Sequence, residues 1–268
     1  MIRWTTDRVW DAVDAWRWVP PTATKVVTDE YALAVTPGSY ALTYVYGFHV
    51  EDVGRVDERI DALRKRIEDL GGTGARLQLT PRQRPPDLAE RLQRRGYTQI
   101  EEADVLVWVL RDEEGALKLP EFPPPAGISV REVQTEDDYD TFAALGTTIF
   151  GDPPPSLEVK KGFVAEFHRT MREEGHSGRF LAWERRSAIG RGGMEIVGSV
   201  ARFWGTGVLT EHRRRGVYGA LVRARCEGAA ERGAEIALVT ARVGTSGPIL
   251  RHHGFRPMGT TRVFEVRW

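Results

Sequence analysis

The residues from Val208 to Leu221 limit the fold of this chain more than any other stretch. An apolar run ending at Leu209 predicts a strand, and an apolar segment after Gly216 predicts a helix. Between them lie polar residues, three consecutive arginines and a glycine, which we call the arginine turn (residues 210–216). A turn of this kind at a helix N-terminus collects free N–H groups that bind anions together with the helix dipole. The order of strand, basic turn and helix therefore predicts a pyrophosphate site.

The composition is that of a soluble globular protein, and the charge excludes some classes of function. The formal net charge of the 268 residues is zero, which disfavours general nucleic-acid binding. Residues 1–125 carry 17 Lys and Arg against 21 Asp and Glu, whereas residues 126–268 carry 21 against 17. The basic second part of the chain suits an anionic ligand.

Cysteine usage and hydropathy exclude further classes. The single cysteine, Cys226, excludes an internal disulfide and a cysteine-rich zinc site, and we expect it to be a packing residue. No spacing of His and Asp typical of a metal site is present. The first residues lack a signal-peptide core, and no apolar run reaches the roughly 18 residues that span a membrane. We therefore expect a cytoplasmic protein with no metal and no membrane partner.

A proline-rich segment, residues 119–127, divides the chain. Prolines lack an N–H donor and keep the chain extended, so such a segment is typical of a spacer. We therefore predict two domains, residues 1–122 and 123–268. In the first, the patterns predict helices at 7–18, 56–70 and 86–95, and strands at 25–35, 39–48, 76–79 and 105–110. In the second, they predict helices at 136–150, 157–173, 216–231 and 248–253, and strands at 129–132, 180–184, 188–196, 200–209, 236–241 and 261–266.

Alternating helices and strands in both domains predict an α+β fold, a mixed sheet with helices on its faces. Both domains also end alike. Residues 88–97 and residues 248–255 each place a short helix before a glycine and an aromatic residue, and a strand follows. This similarity predicts an internal duplication.

Three features of the second domain occur in a familiar order. The segment from Arg213 to Tyr218 stands in the place of a signature Arg/Gln-x-x-Gly-x-Gly/Ala. A strand ending at Leu209 precedes it, and Leu-Arg-His-His-Gly-Phe (residues 250–255) precedes the last strand. Together these features resemble the GNAT superfamily of acyl-CoA-dependent N-acetyltransferases. The resemblance covers about residues 128–268, and the duplication extends it to two tandem GNAT-like domains.

The resemblance implies a bent sheet whose fourth and fifth strands splay apart, with acetyl-CoA as co-substrate in the gap. It implies that the pantetheine chain pairs with the backbone of Val208, Leu209 and Thr210. The pyrophosphate is then expected on the amides of Arg213, Arg214, Arg215, Gly216, Val217, Tyr218 and Gly219. Tyr218 departs from the signature, which has Gly or Ala at that position. Its N–H remains available, and its ring is expected either in the core or beside the co-substrate.

Acyl transfer needs a polarised thioester carbonyl, a base for the amine and an acid for the thiolate. In the family, a strand amide near a bulge, here around Val208, supports the carbonyl oxygen. A tyrosine on the helix before Gly-Phe protonates the thiolate, and Leu250 occupies that position. Because leucine cannot donate a proton, we expect Ser246 or Tyr218 to replace it, with Thr245 and water as alternatives.

Glu195 is the preferred candidate for the base. It lies on a predicted strand between Met194 and Ile196, so strand alternation directs its carboxylate to one face of the sheet. The alternative is an exposed glutamate on an edge strand. The other candidates for the base are Glu166, His168, Asp152 and His212.

The acceptor is expected to contact Phe150, Asp152 and Trp204. Phe150 and Asp152 flank a loop whose three prolines, residues 153–155, predict a stiff lid, although a simple connector between two helices has the same pattern. Trp204 lies on a predicted strand and either lines an apolar pocket or packs in the core. Asp152 is available to meet an amine, and we expect a small-molecule amine as the acceptor, with a protein N-terminus or lysine as the alternative.

The first domain has Val-Glu-Asp-Val-Gly-Arg-Val in place of the arginine turn, and we call this segment the acidic turn (residues 50–56). Acidic side chains repel a pyrophosphate. We therefore predict a degenerate domain that binds no CoA and that shapes the acceptor pocket or supports the sheet of its partner.

The sequence as a whole predicts an acyltransferase that moves an acetyl or other short acyl group from acyl-CoA to a primary amine of a small molecule. The alternative, favoured by Leu250 and Tyr218, is a catalytically inactive CoA-binding or interaction protein. We expect a monomer or homodimer.

Overall fold

The computed structural model describes residues 4–112, 114–123, 125–151, 156–172 and 176–268. Its backbone packing divides the chain into two compact units. The C-terminal unit contains residues 106–241 and 246–257. The N-terminal unit contains residues 4–105, 242–245 and 258–268. Each unit is therefore built from more than one segment of the chain.

The elements follow one another as helices and strands throughout. The first part of the chain forms α1 (Thr6–Ala15), β1 (Thr24–Val27), β2 (Ala32–Thr36), β3 (Ser39–Tyr46), a 3-10 turn (Val53–Arg55), α2 (Val56–Asp69), β4 (Gly74–Leu79), α3 (Leu88–Arg94) and β5 (Thr98–Val109). The chain continues with β6 (Ile128–Glu132), α4 (Glu136–Phe150), α5 (Leu157–Arg172), β7 (Ser177–Glu184), β8 (Ser187–Val197) and β9 (Val200–Val208). It ends with a second 3-10 turn (Thr210–His212), α6 (Val217–Glu231), β10 (Ile236–Arg242), α7 (Ser246–His252) and β11 (Arg256–Arg267). None of the described helices is long and apolar enough to cross a membrane.

In the N-terminal unit the strands lie in the order β1-β2-β3-β4-β11. Strands β3 and β4 run parallel, and the other neighbours run antiparallel. Helix α2 carries apolar residues at helical spacing and buries them in the core of this unit, namely Val56, Ile60, Leu63 and Ile67. The chain's last strand, β11, pairs with β4 from Arg262 opposite Leu79 to Arg267 opposite Gly74. It therefore belongs to the sheet of the N-terminal unit.

In the C-terminal unit the strands lie in the order β6-β7-β8-β9-β10. Neighbours from β6 to β9 are antiparallel, and β9 pairs with β10 in parallel. One face of the sheet packs on α6, whose Leu221, Val222 and Cys226 are fully buried. The other face packs on α4 and α5 through a second cluster that contains Phe142 and Phe167. The unit is thus a mixed sheet between two helical layers.

Several predicted boundaries differ from the structure for local reasons. The predicted helix at 7–18 ends at Ala15 because Trp16 adopts an extended backbone. The predicted strand at 25–35 is interrupted by a turn in which the Thr28 hydroxyl accepts from the Tyr31 amide at 3.1 Å. The predicted boundary between residues 122 and 123 lies inside the C-terminal unit. Phe122 packs in the core of the C-terminal unit, which begins within β5.

Candidate active site

Strands β9 and β10 of the C-terminal unit separate part-way along their length. They pair in parallel from Val200 opposite Ile236 as far as Phe203 opposite Val239. Beyond Phe203, β9 continues to Val208. In that stretch the described partner of β9 is β8, which lies along its opposite edge from β10. The structure therefore contains the predicted V-shaped gap between these two strands.

A β-bulge in β9 lies just beyond this fork. Arg191 and Gly193 on β8 face Gly207 and Trp204 on β9, so β9 has one residue more in this interval. Gly205, inside the bulge, has a left-handed backbone with φ +57°. The bulge thus precedes its predicted position around Val208, and it turns backbone groups of residues 205–206 away from the regular ladder.

The edge of β9 that faces the gap can be assigned from its hydrogen bonds. The Leu209 amide donates to the Ile189 carbonyl on the β8 side at 3.0 Å. Because backbone groups of successive strand residues point to opposite edges, those of Val208 face the gap. The Val208 carbonyl accepts from Nε of Arg213 at 3.2 Å. Of the three residues predicted to pair with pantetheine, Val208 fits best, whereas the Leu209 N–H is already engaged.

The arginine turn ends in a backbone that exposes N–H groups. Gly216 has φ +80° and ψ −4° and is followed by the right-handed first turn of α6. This alternation from left- to right-handed conformation directs successive amides into one hollow, the geometry of an anion nest. No side chain caps α6, and its first turn contains no acidic residue. The amides of Val217, Tyr218 and Gly219 in that first turn are therefore suited to an anion.

The three arginines of the turn have different surroundings. Arg213 is tied to β9 through the Val208 carbonyl. Arg215 forms an ion pair with Glu184, which lowers the pKa of the Glu184 carboxyl below its usual value. Arg214 has φ +62°, a left-handed backbone that is uncommon for a residue with a side chain, and it is exposed. Among the described residues, neither Arg213 nor Arg214 has an ion-pair partner, and the exposed charge of Arg214 is free of the hydrogen bond that ties Arg213 to β9.

The glycines of this segment also make room for the proline-rich segment. A Cβ on Gly219 would overlap the Phe122 ring, and a Cβ on Gly216 would lie 3.4 Å from Cβ of Pro125. The Phe122 ring lies 4.1 Å from the ring of His253, measured between centroids. The small size of Gly219 is therefore needed for packing, which the sequence motif alone did not reveal.

Two predicted acids meet in the structure. The Tyr218 hydroxyl is hydrogen-bonded to Ser246 at the start of α7, and burial raises the pKa of Tyr218. Its ring packs against the core on the α6 face. Leu250, at the position of the usual tyrosine, is fully buried in the same core. The ring of Tyr218 thus contacts the core, and the residue as a whole stays partly exposed.

On the opposite face, Glu195 and Glu166 lie in one polar cluster. Both interact electrostatically with Arg179 and with each other. Burial raises the pKa of the Glu166 carboxyl and lowers the pKa of the Arg179 guanidinium. Strand β8 lies between β7 and β9, so Glu195 is half-buried within the sheet rather than exposed on an edge strand. Two of the predicted bases are thus brought together.

Two of the predicted acceptor residues lie on this same face. The Trp204 ring packs over Gly193 and lies 5.8 Å from the Arg179 guanidinium. Phe150, at the end of α4, is 40% exposed and contacts β9 where Gly207 lacks a side chain. The third predicted residue, Asp152, lies outside the described residues, together with prolines 153–155 and the predicted helix end at residue 173.

Two further candidates for the base, His168 and His212, pair with carboxylates of the chain. Nε2 of His168 lies 2.6 Å from Oε1 of Glu136, and Nδ1 of His212 lies 3.4 Å from Oε2 of Glu184. Cys226 is fully buried, and burial raises the pKa of its thiol to about 12, so it is the packing residue that we expected. In the described part of the chain, no group of three or more His, Cys, Asp or Glu could hold a metal ion.

The acidic turn of the N-terminal unit uses its N–H groups differently. Oδ1 of Asp52 accepts from the Gly54 amide at 2.9 Å and caps the 3-10 turn that precedes α2. Asp57 and Glu58 follow in the first turn of α2. Carboxylates of the chain itself therefore occupy the region where a phosphate would have to bind.

Comparison with known proteins identifies the architecture. No sequence-family profile and no curated protein sequence matches the chain. Among solved structures, a GCN5-related N-acetyltransferase from Kribbella flavida has a TM-score of 0.64 at 20% identity and covers 91% of this chain and 89% of that one. A second from Sphaerobacter thermophilus has a TM-score of 0.65 at 16% identity, covering 97% and 85%. The fold is that of the GNAT acetyltransferases.

A tandem GNAT protein from the clavulanic acid biosynthesis pathway also matches, with a TM-score of 0.60 at 17% identity, covering 97% of this chain and 87% of that one. Because this match extends over nearly the whole chain, it includes residues of both units. The predicted fold class, a mixed α+β sheet in a tandem GNAT arrangement, is therefore confirmed.

Proposed function

We propose that the chain is an N-acyltransferase that takes an acetyl or other short acyl group from acyl-CoA to a primary amine of a small molecule. The observation that carries the proposal is the fork between β9 and β10, which lies on the same strand that leads into the uncapped start of α6. A free strand edge suits the amides of a pantetheine chain, and first-turn N–H groups suit a pyrophosphate. Acyl-CoA supplies an activated thioester to this site.

The residues around the fork suit the chemistry. Backbone N–H groups displaced by the bulge at residues 205–206 would donate to the carbonyl oxygen. Glu166 and Glu195 would accept a proton from the ammonium group, directly or through water. The Tyr218 hydroxyl, held by Ser246, would donate a proton to the departing sulfur. These assignments give each predicted catalytic residue a role, and Glu166 joins them because of its position beside Glu195.

Thiol release from acetyl-CoA with a panel of small amines tests the proposal. We expect kcat/KM to rise with pH through the raised pKa of Glu166, because a base must first lose its own proton. Glu166→Gln should lower kcat/KM by about a hundredfold and abolish that dependence. Glu195→Gln is the matched control: if Glu195 is the base instead, this variant shows the hundredfold loss and kcat/KM does not follow the pKa of Glu166. Full activity in both variants would exclude this pair as the base.

A CoA-binding protein without catalysis is the second candidate, and the buried Leu250 favours it because this position offers no acid. Both candidates require acetyl-CoA to bind and to raise the melting temperature of the protein. Binding without thiol release across the amine panel would favour the second candidate. Absence of any thermal shift at about 1 mM acetyl-CoA would exclude both.

A further inference from the structure

Arg191 is a charged residue on β8 in the C-terminal unit, outside the signature segment from Arg213 to Tyr218. It projects from β8 towards α4, where Nη1 donates to the Phe142 carbonyl at 2.8 Å. Its guanidinium carbon lies 3.6 Å from the centroid of the Phe142 ring. A Cβ on Gly146 would overlap Nη1, so α4 has a glycine where the guanidinium passes. The surrounding sequence therefore accommodates this side chain closely.

The charge of Arg191 has no counter-ion in the described structure. No described carboxylate forms an ion pair with it, and the groups that act on its charge are Arg179, which has the same sign, and the Tyr139 hydroxyl. Its Nε–H is buried and lacks a hydrogen-bond partner among the described residues. Burial lowers the pKa of Arg191 to about 9. A buried cation with an unused donor is unfavourable unless an anion completes the site.

The position of Arg191 relates it to the reacting groups. A Cβ on Gly205, in the bulge of β9, would lie 3.2 Å from Nη2 of Arg191. The bulge is where the proposed function places the thioester carbonyl, so an attacking amine must come within a few ångströms of this guanidinium. The residue as a whole is only half-buried, and the exposed ring of Phe150 lies 5.9 Å from its guanidinium carbon. With the proposed function, the acceptor would approach this guanidinium from the side of Phe150.

Resting on the proposed function, we propose that the acceptor is an amino-carboxylate and that Arg191 binds its carboxylate. A guanidinium binds a carboxylate through two N–H groups, and the unused Nε–H provides one of them. The carboxylate would supply the missing negative charge, and the amine a few bonds away would face the bulge. Glu166 and Glu195, on the same face of the sheet, would then receive the ammonium proton.

The test uses matched acceptor pairs that differ only in the carboxylate, such as phenylalanine with phenethylamine, tyrosine with tyramine, and leucine with isopentylamine. With acetyl-CoA and the wild-type protein, we expect the amino acid of at least one pair to have a kcat/KM about a hundredfold above that of its amine. Arg191→Met should remove most of this preference by raising KM for the amino acid. Arg191→Lys should keep part of it because it retains the charge.

Arg131→Met is the control, since Arg131 lies on the same unit but is exposed and paired with Asp138 at 3.0 Å. It should leave the preference unchanged. The inference is overturned if the wild-type protein has the higher kcat/KM with the amines. It is also overturned if Arg191→Met lowers kcat/KM equally for both members of a pair. Either outcome leaves the proposed function intact. If neither these pairs nor any other amine supports thiol release from acetyl-CoA, the proposed function is overturned as well.

Discussion

The acidic turn and the arginine turn both lead into a helix that begins with a buried valine, Val56 in α2 and Val217 in α6. They differ in what meets the N–H groups at the helix start. In the acidic turn, Asp52 accepts from Gly54, and two acidic residues follow in the first turn of α2. In the arginine turn, a left-handed glycine precedes a first turn with neither a side-chain cap nor an acidic residue.

The difference shows that a helix start becomes a ligand site only when the chain leaves it unfilled. The dipole and the free N–H groups favour a negative charge at every helix N-terminus. The acidic turn supplies that charge from the chain itself, which stabilises the fold and leaves little room for a phosphate. The arginine turn leaves the charge to be supplied from outside. This contrast supports the prediction that CoA binds to the C-terminal unit alone.

Among the changes that test this comparison, the largest expected effect concerns the left-handed glycine. Gly216→Val places a β-branched residue at φ +80° and should weaken acetyl-CoA binding by about 2 kcal/mol, or about thirtyfold, in a calorimetric titration. Gly54→Val is the matched change in the acidic turn, where the nearest atom to a new Cβ is a movable Asp52 oxygen at 3.2 Å. It should leave the affinity unchanged. Equal losses in both variants would break the comparison.

The second residue of each helix gives the next test. Tyr218→Phe removes the hydroxyl that is bonded to Ser246 and should lower kcat about tenfold with little change in KM for acetyl-CoA. Because burial raises its pKa above 10.0, Tyr218 keeps its proton at neutral pH and remains able to donate it. Asp57→Asn is the matched variant in α2, where Asp57 pairs with Arg91 at 3.3 Å, and it should leave kcat unchanged. An unaffected kcat in Tyr218→Phe would exclude Tyr218 as the acid.

The acidic turn itself should respond in stability rather than in binding. Asp52→Ala removes the carboxylate that accepts from Gly54 and should lower the free energy of unfolding by about 1 kcal/mol in urea. Asp52→Asn retains an oxygen acceptor and should lose less. Acetyl-CoA affinity should stay the same in both variants. A gain of acyl-CoA binding sites in Asp52→Ala would show that the N-terminal unit had been a blocked site.

Local patterns predicted much of this molecule, and long-range packing explains the rest. The arginine turn and α6 follow from neighbouring residues, so the sequence revealed both them and the strand before them. The pairing of β11 with β4 and the contact of Phe122 with Gly219 join residues about a hundred or more positions apart, which no short window contains. Strand alternation predicted that the Glu195 side chain lies on one face of the sheet. The same rule applied to Arg191 would have placed its side chain on that face too, so this residue could have been found from the sequence.

The smallest expected effect separates backbone geometry from charge within the arginine turn. Arg214 has a left-handed backbone that asparagine also tolerates, so Arg214→Asn keeps the conformation and removes the cation. We expect acetyl-CoA affinity to fall about threefold at low salt and less at high salt, because ions screen an exposed charge. Arg215→Asn is the matched control: Arg215 is already paired with Glu184, so its loss should change affinity less. If Arg215→Asn had the larger effect, the Glu184 pair would have to open when the anion binds. The arginine turn would then resemble the acidic turn in one respect, because a side chain of the protein itself would neutralise its charge until acetyl-CoA binds.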